Sequence, residues 1–349
     1  MNQLLQLIFI DHHYCLLLIL YGKLSDGSLD IISENSMMEN EERMEGWWKK
    51  LDEPFKSKRT ERIVTVVMWV MIVLASLPLL HFGRRVFITD RFVVRGVSMT
   101  PTLTTGQGVY VRKWLMGPRI YTSFDFGEGK PLQCRRLPGI RRIRAGDIAV
   151  FNSPEGYGVY DRITFKLNYV YAKRCLGAAG DTIGIKDSHY YSSGAESTGI
   201  PESQEQMLRS TPDSVFQKSW SLAAGQFAGE ADNWTIKDLG PIVVPYKGMT
   251  IAMDSVNTAH YARVIDYELG VRPIWSGGRA LLEGVPLRSY VFRENYCFFV
   301  GDNAPNSRDS RYFGFVPEKF VIGIFKVPRT DLLLSHQMSR TILTSIKTE

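Results

Sequence analysis

The chain has 349 residues, 44% of them hydrophobic and 22% charged, a balance that excludes a wholly disordered or fibrous protein. That length leaves room for one sizeable core plus accessory segments. A formal net charge of +6 suits either nucleic acid or anionic lipid headgroups as a partner, so charge alone does not choose between them.

The chain opens on an apolar stretch, residues 4–21, interrupted by Asp11, His12 and His13, which are costly near a bilayer centre. It reads as an interfacial segment or as an upstream extension of the true start, which would cover residues 1–36, since Met37, Met38 and Met44 are alternative initiators. Residues 63–80 (IVTVVMWVMIVLASLPLL) carry no charge and are long enough to cross a hydrocarbon core of about 30 Å as a helix. Lys49, Lys50, Lys56, Lys58, Arg59 and Arg62 precede this run, and Arg84 and Arg85 follow it. The larger basic cluster belongs in the cytoplasm, which puts the rest of the chain on the outer face of the cell (inner) membrane. The expected organisation is a largely cytoplasmic segment 1–62, a single transmembrane helix 63–82, an extracytoplasmic domain 83–330 and a tail 331–349.

Beyond the span, RFVVRGV, GVYVRKW, DIAVFNS, NYVYAKR, YCFFVGD and FVIGIFKV recur between Gly, Pro and Asp punctuation and read as β-strands. Few long segments carry helical periodicity, so the expected fold class is mainly β, an antiparallel core with an irregular inserted region over residues 187–290. Cys15, Cys134, Cys175 and Cys297 offer no CxxC pair and no Cys/His cluster, so no metal site is expected. One disulfide among Cys134, Cys175 and Cys297 is compatible with an extracytoplasmic domain; unpaired buried thiols are the commoner alternative.

Three blocks carry candidate chemistry. In RGVSMTPTLTTGQGVYV, Ser98 follows a strand and precedes the turn residues Pro101 and Gly106, a place that presents a hydroxyl, although such a serine is usually an ordinary turn residue. In YVYAKRCLGAAGDTIGI, Lys173 lies on an apolar strand. Most lysines are solvated and protonated, but desolvation among Tyr171, Ala172 and Leu176 lowers the pKa of an amine and makes it a competent base for a serine. In FFVGDNAPNSRDSRYFGFVP, Asp302, Asn303, Ser307, Asp309, Ser310 and Arg311 sit between two apolar strands, which alone reads as a polar hairpin loop.

Together and in this order, GVSMTPTL, RRIRAGDIAVF, YAKRCLGAAGDTI and GDNAPNSRDSRYFGFVP resemble the conserved boxes of bacterial type I signal peptidases, membrane serine proteases with a Ser/Lys dyad. The resemblance implies Ser98 as nucleophile and Lys173 as general base, Ser307 orienting the amine, and Asp309 and Arg311 bracing the site as an ion pair. It implies a signal-peptidase-like antiparallel β core, shallow pockets for small side chains lined by Phe92, Val94, Met99, Leu103, Tyr171 and Ala172, and no cofactor. Its implied partners are signal-peptide-bearing precursors, the lipid bilayer and, functionally, the secretion machinery; the basic balance brings no nucleic-acid-binding motif with it. Gly96 stands where many relatives carry an oxyanion-binding serine, leaving the Ser98 N–H and an unidentified second donor. Arg95 replaces a frequent proline, and Ala304 and Pro305 replace common charged residues. A specialised protease for a narrow set of exported or pilin-like substrates, and a catalytically silent membrane-tethered scaffold, remain alternative readings.

Overall fold

The computed structural model describes residues 58–127, 131–155, 162–218 and 234–325. The apolar stretch 4–21 with its histidines, Cys15, the alternative initiators, Lys49, Lys50 and Lys56, and the tail 331–349 lie outside the described residues. The chain divides into two units, Met1–Pro78 and Leu79–Glu349.

Of the first unit, the described part is helix α1 (Lys58–Gly83), whose last turn runs into the second. Its 26 residues reach about 39 Å, and none of them is buried. A run of apolar side chains left unburied among the described residues is stable where every backbone N–H and C=O is satisfied within the helix, the condition a hydrocarbon core imposes. Among the described residues this is the one helix long and apolar enough to cross a membrane.

In the second unit, a π-helical turn (Arg84–Ile88) leads into strand β1 (Thr89–Val93). Lys113 Nζ ties this entry down, donating to Arg85 O at 2.7 Å and to Asp90 Oδ2 at 3.2 Å. Burial would push the Asp90 carboxyl up, but Lys113 outweighs it and holds the group below its ordinary range.

The main sheet comprises seven strands among the described residues: β1, β2 (Gly108–Arg112), β3 (Ile148–Asn152), β4 (Val170–Gly177), β5 (Tyr296–Val300), β6 (Val316–Pro317) and β7 (Val321–Phe325). Their order is β1-β2-β7-β3-β4-β5-β6, with every neighbouring pair antiparallel. All six strand-like segments of the sequence lie in it, and the fold is the expected one: mainly antiparallel β with an N-terminal apolar helix. Strand β3 explains why the apolar runs lack polar alternation. Ile148 and Val150 enter a small cluster with Met99, Leu103, Val109 and Val111, while Ala149 and Phe151 enter the large cluster on the other face, where Phe151 stacks on Phe299 at 4.2 Å. Both faces of the sheet are therefore covered at β3, and its period-two side chains are apolar on each.

Residues 187–290 carry more regular structure than their polarity suggests. His189–Ser192 and Leu239–Val243 flank Thr182–Lys186 in a three-stranded sheet. Helix α2 (Ser255–Leu269) starts at Asp254, whose carboxylate accepts from Asn257 N at 2.7 Å, and stops at Gly270, where a left-handed φ of 79° is easy for glycine. It buries Thr258, Tyr261, Ala262 and Ile265 at helical spacing, and Tyr261 stacks on Phe315 at 5.8 Å within the last of the four boxes, the closing box of residues 301–317.

Cys134, Cys175 and Cys297 are free thiols, the commoner of the two expectations. Cys175 and Cys297, both wholly buried, lie within hydrogen-bond reach of each other, and that bond together with burial pushes the Cys297 thiol well up, leaving it protonated and unreactive.

Candidate active site

Ser98 sits in the turn that follows β1. Met99 and Leu103 pin that turn by plugging into the smaller cluster, and Leu103 N donates to Met99 O at 2.9 Å. The closing box grips it from the other side. Asn303 N donates to Ser98 O at 3.1 Å, and Asn303 Nδ2 to Val97 O at 3.1 Å. The Ser98 hydroxyl is thus fixed between two segments about 200 residues apart in sequence.

Lys173 rises from β4, where it pairs with Ala149 of β3. Its side chain is 1% exposed. Nζ is in hydrogen-bond contact with Ser98 Oγ and donates to Ser307 Oγ at 2.9 Å. Burial pulls its pKa from 10.5 down to about 8; Asp309 and Asp302 pull the other way, and Arg311 adds to the lowering. A primary amine in this state carries a lone pair at mildly alkaline pH and touches a hydroxyl it can deprotonate.

Asp309 and Arg311 are both fully buried and form the expected pair, with Arg311 Nε and Nη2 each 2.8 Å from the carboxylate. Asp309 also caps the short helix α3 (Ser310–Phe313) and accepts from Gly301 N at 3.0 Å. Arg311 reaches on to Ser307 O at 3.3 Å and to Tyr190 Oη at 2.8 Å. The ion pair therefore fixes the backbone on both sides of Ser307. Gly301 is required by space: a Cβ there would run into Ser307 Oγ and Ser98 O. Gly301→Ala should displace both hydroxyl-bearing segments and lower kcat at least ~100-fold, measurable by peptide cleavage at saturating substrate.

A cleft of about 710 Å³ opens beside Ser98, walled by β1 and the first half of β4. Phe92, Val94, Met99, Tyr171 and Ala172 line it, as do Val109, Val150 and Tyr169. Leu103, expected on this wall, does not line the cleft; it is wholly buried in the smaller cluster, where it serves as an apolar plug under the Ser98 turn. A Cβ at Gly96 would meet nothing within 4 Å, so a side chain there would enter open space. Among the described residues no cluster of His, Cys, Asp and Glu could hold a metal ion.

A family model described as signal peptidase, peptidase S26, matches residues 60–329, from α1 to just beyond β7. The chain belongs to this family. It is a serine endopeptidase of the signal peptidase I type. Signal peptidase I of Buchnera aphidicola subsp. Schizaphis graminum is 26% identical over 250 residues, covering 68% of this chain and 67% of the relative. Signal peptidase I of Pseudomonas aeruginosa is 23% identical over 267 residues (74% and 66%), and signal peptidase I P of Bacillus subtilis subsp. natto is 30% identical over 139 residues (40% and 56%).

Within this signal peptidase chain, four residues around the site were not singled out in the sequence. Arg174, next to Lys173, forks onto Asp302 at 2.7 and 2.5 Å and donates to Gly146 O at 3.0 Å, joining β4 to the start of the closing box. Its strand position beside the lysine was the available signal. Tyr190 and Glu155 lie more than 100 residues from their partners Arg311 and Arg308 and carry no local signature, while Arg308 stands unremarked inside the last box.

Proposed function

We propose that the protein is a membrane-anchored endopeptidase that removes signal peptides from exported precursors, with Ser98 as nucleophile and neutral Lys173 as general base. The observation that carries this reading is a wholly buried amine in contact with the hydroxyls of both Ser98 and Ser307. Lys173 takes the Ser98 proton as Oγ attacks the scissile carbonyl, and the Ser98 N–H, which has no acceptor among the described residues, faces the developing oxyanion. The ammonium then protonates the leaving amine, releasing the mature protein and an acyl-enzyme. Neutral again, Lys173 deprotonates the water that hydrolyses the ester. Ser307 orients the amine, and Asp309 with Arg311 holds Ser307.

The shallow cleft beside Ser98, walled by Phe92, Val94, Met99, Tyr171 and Ala172, suits small side chains before the cut. Helix α1 serves as the anchor, with the domain beyond it on the outer face of the membrane; confining enzyme and precursor to one surface raises their effective concentration. The division into a cytoplasmic segment, a span, an extracytoplasmic peptidase domain and a tail belongs to the same proposal.

The test is cleavage of a membrane-inserted precursor with a small-x-small site by the full chain in proteoliposomes. Wild type should release the mature product, and Ser98→Ala should lower the rate at least ~1,000-fold with unchanged melting. Retained cleavage by the variant would sink the dyad, and a folded wild type that cuts one precursor but not others would narrow its role to specialised processing.

A further inference from the structure

Arg308 stands between Ser307 and Asp309, yet its side chain turns away from both. It forks onto Glu155, with Nε at 3.1 and 3.0 Å from the two carboxylate oxygens and Nη2 at 2.5 Å from Oε1. The side chains of the pair are only 16% and 6% exposed, so it is a desolvated ion pair rather than a surface one. Glu155 lies just beyond the end of β3 and also meets the Tyr171 hydroxyl at 3.5 Å. Tyr171 in turn stacks on Phe313 of α3 at 5.9 Å, with Lys173 Nζ 5.6 Å from its ring centre. Arg308 and Arg311 both lie against the ring of Tyr312, at 5.8 and 5.9 Å. The chain of contacts thus begins at the backbone carrying Ser307, crosses to the end of β3, and returns through Tyr171 to the amine.

We infer that Arg308 and Glu155 are positioning residues: they clamp the Ser307–Asp309 segment to the cleft wall so that Ser307 Oγ and the Tyr171 ring bracket the Lys173 amine. This rests on the Ser98/Lys173 reading above. Neither residue touches the reacting atoms. Loosening the clamp lets water reach an amine whose other charged or titratable neighbours are Asp309, Asp302 and Arg311, all left in place. A better-hydrated amine holds its proton more tightly.

The experiment compares kcat/KM against pH for wild type, Glu155→Gln, Arg308→Gln and the charge swap Glu155→Arg/Arg308→Glu, using the full chain in proteoliposomes with melting recorded for each. The expected result is a loss of at least ~10-fold in kcat for each single variant. Their ascending limb should move to higher pH by roughly 0.5 or more, and the swap should recover most of both effects. A lower rate that follows the folded fraction, with no displaced limb and no recovery in the swap, would reduce the pair to a structural tie and overturn the inference. So would single variants within ~2-fold of wild type. A wild-type profile that does not rise with pH through an ascending limb would overturn the Ser/Lys reading and this inference together, whereas a normal wild-type limb that the variants leave unmoved overturns this inference alone.

Discussion

Lys173→Met is expected to abolish cleavage and, at pH 7, to raise the melting temperature. The two effects share one cause. An amine 1% exposed has lost its hydration, and its pKa falls from 10.5 to about 8. Because the folded value lies below the unfolded one, the native state binds this proton more weakly than the unfolded chain does. Stability contributed by the group therefore rises as pH climbs from about 8 to 10.5, and at pH 7 the whole penalty is present. The displacement corresponds to about 3 kcal/mol, which a methionine of similar volume removes. At ~2–4 °C per kcal/mol for a domain of this size, melting should rise by roughly 6–12 °C at pH 7, less what is lost with the Ser307 bond, and the gain should vanish by about pH 10.5. Wild-type kcat/KM should climb about tenfold per pH step below 8 and level off above it. Melting scans of both proteins from pH 6 to 10.5 check the first part; equal melting at every pH would mean that the ammonium is not desolvated. Function at this position is thus bought against stability, as strained or desolvated catalytic groups generally are.

What the sequence made legible follows the range of the interactions. The strands and α1 are local facts: β-branched and aromatic runs between turn residues, and an uncharged stretch too long for most core helices. Ser98, Lys173, Ser307, Asp309 and Arg311 were legible through the order of the boxes, and the structure brings them together. The burial of Lys173 was an expectation from its apolar strand, but the residues that enforce it come from elsewhere. Tyr190 reaches Arg311 across 121 positions, and Glu155 reaches Arg308 across 153. Helix α2 was missed because it buries His260 and Asp266 along with its apolar residues, which blurs the stripe a surface helix displays. Leu103 shows the opposite limit: its place in a box names it, but only packing reveals that it props the Ser98 turn instead of lining the cleft.

Asp309→Asn separates geometry from charge in the same site. Burial alone would push the Asp309 carboxyl up, yet Arg311, Lys173 and the Gly301 N–H overcome it and hold the group below its usual 3.8. Its folded pKa is depressed, so its stabilising contribution is present above the unfolded value and is lost as pH falls through the folded one. Asparagine keeps the shape and one acceptor oxygen but leaves the 1%-exposed Arg311 guanidinium without a counter-charge, at a cost of about 3–5 kcal/mol and a melting drop of roughly 10 °C. Asp309 also raises the proton affinity of Lys173, so its loss should move the ascending limb of any residual activity below pH 8, opposite to the direction expected for Arg308→Gln. Asp309→Leu/Arg311→Met should recover most of the stability, since an apolar pair replaces a buried ionic one at little net loss, but not the cleavage, because Gly301 N and Ser307 O lose the groups that aim them. Calorimetry and the pH–rate profile read the two consequences separately. Recovery of both in the double variant would mean that the pair fills space, and recovery of stability alone would mean that it is retained to hold Ser307 against the amine.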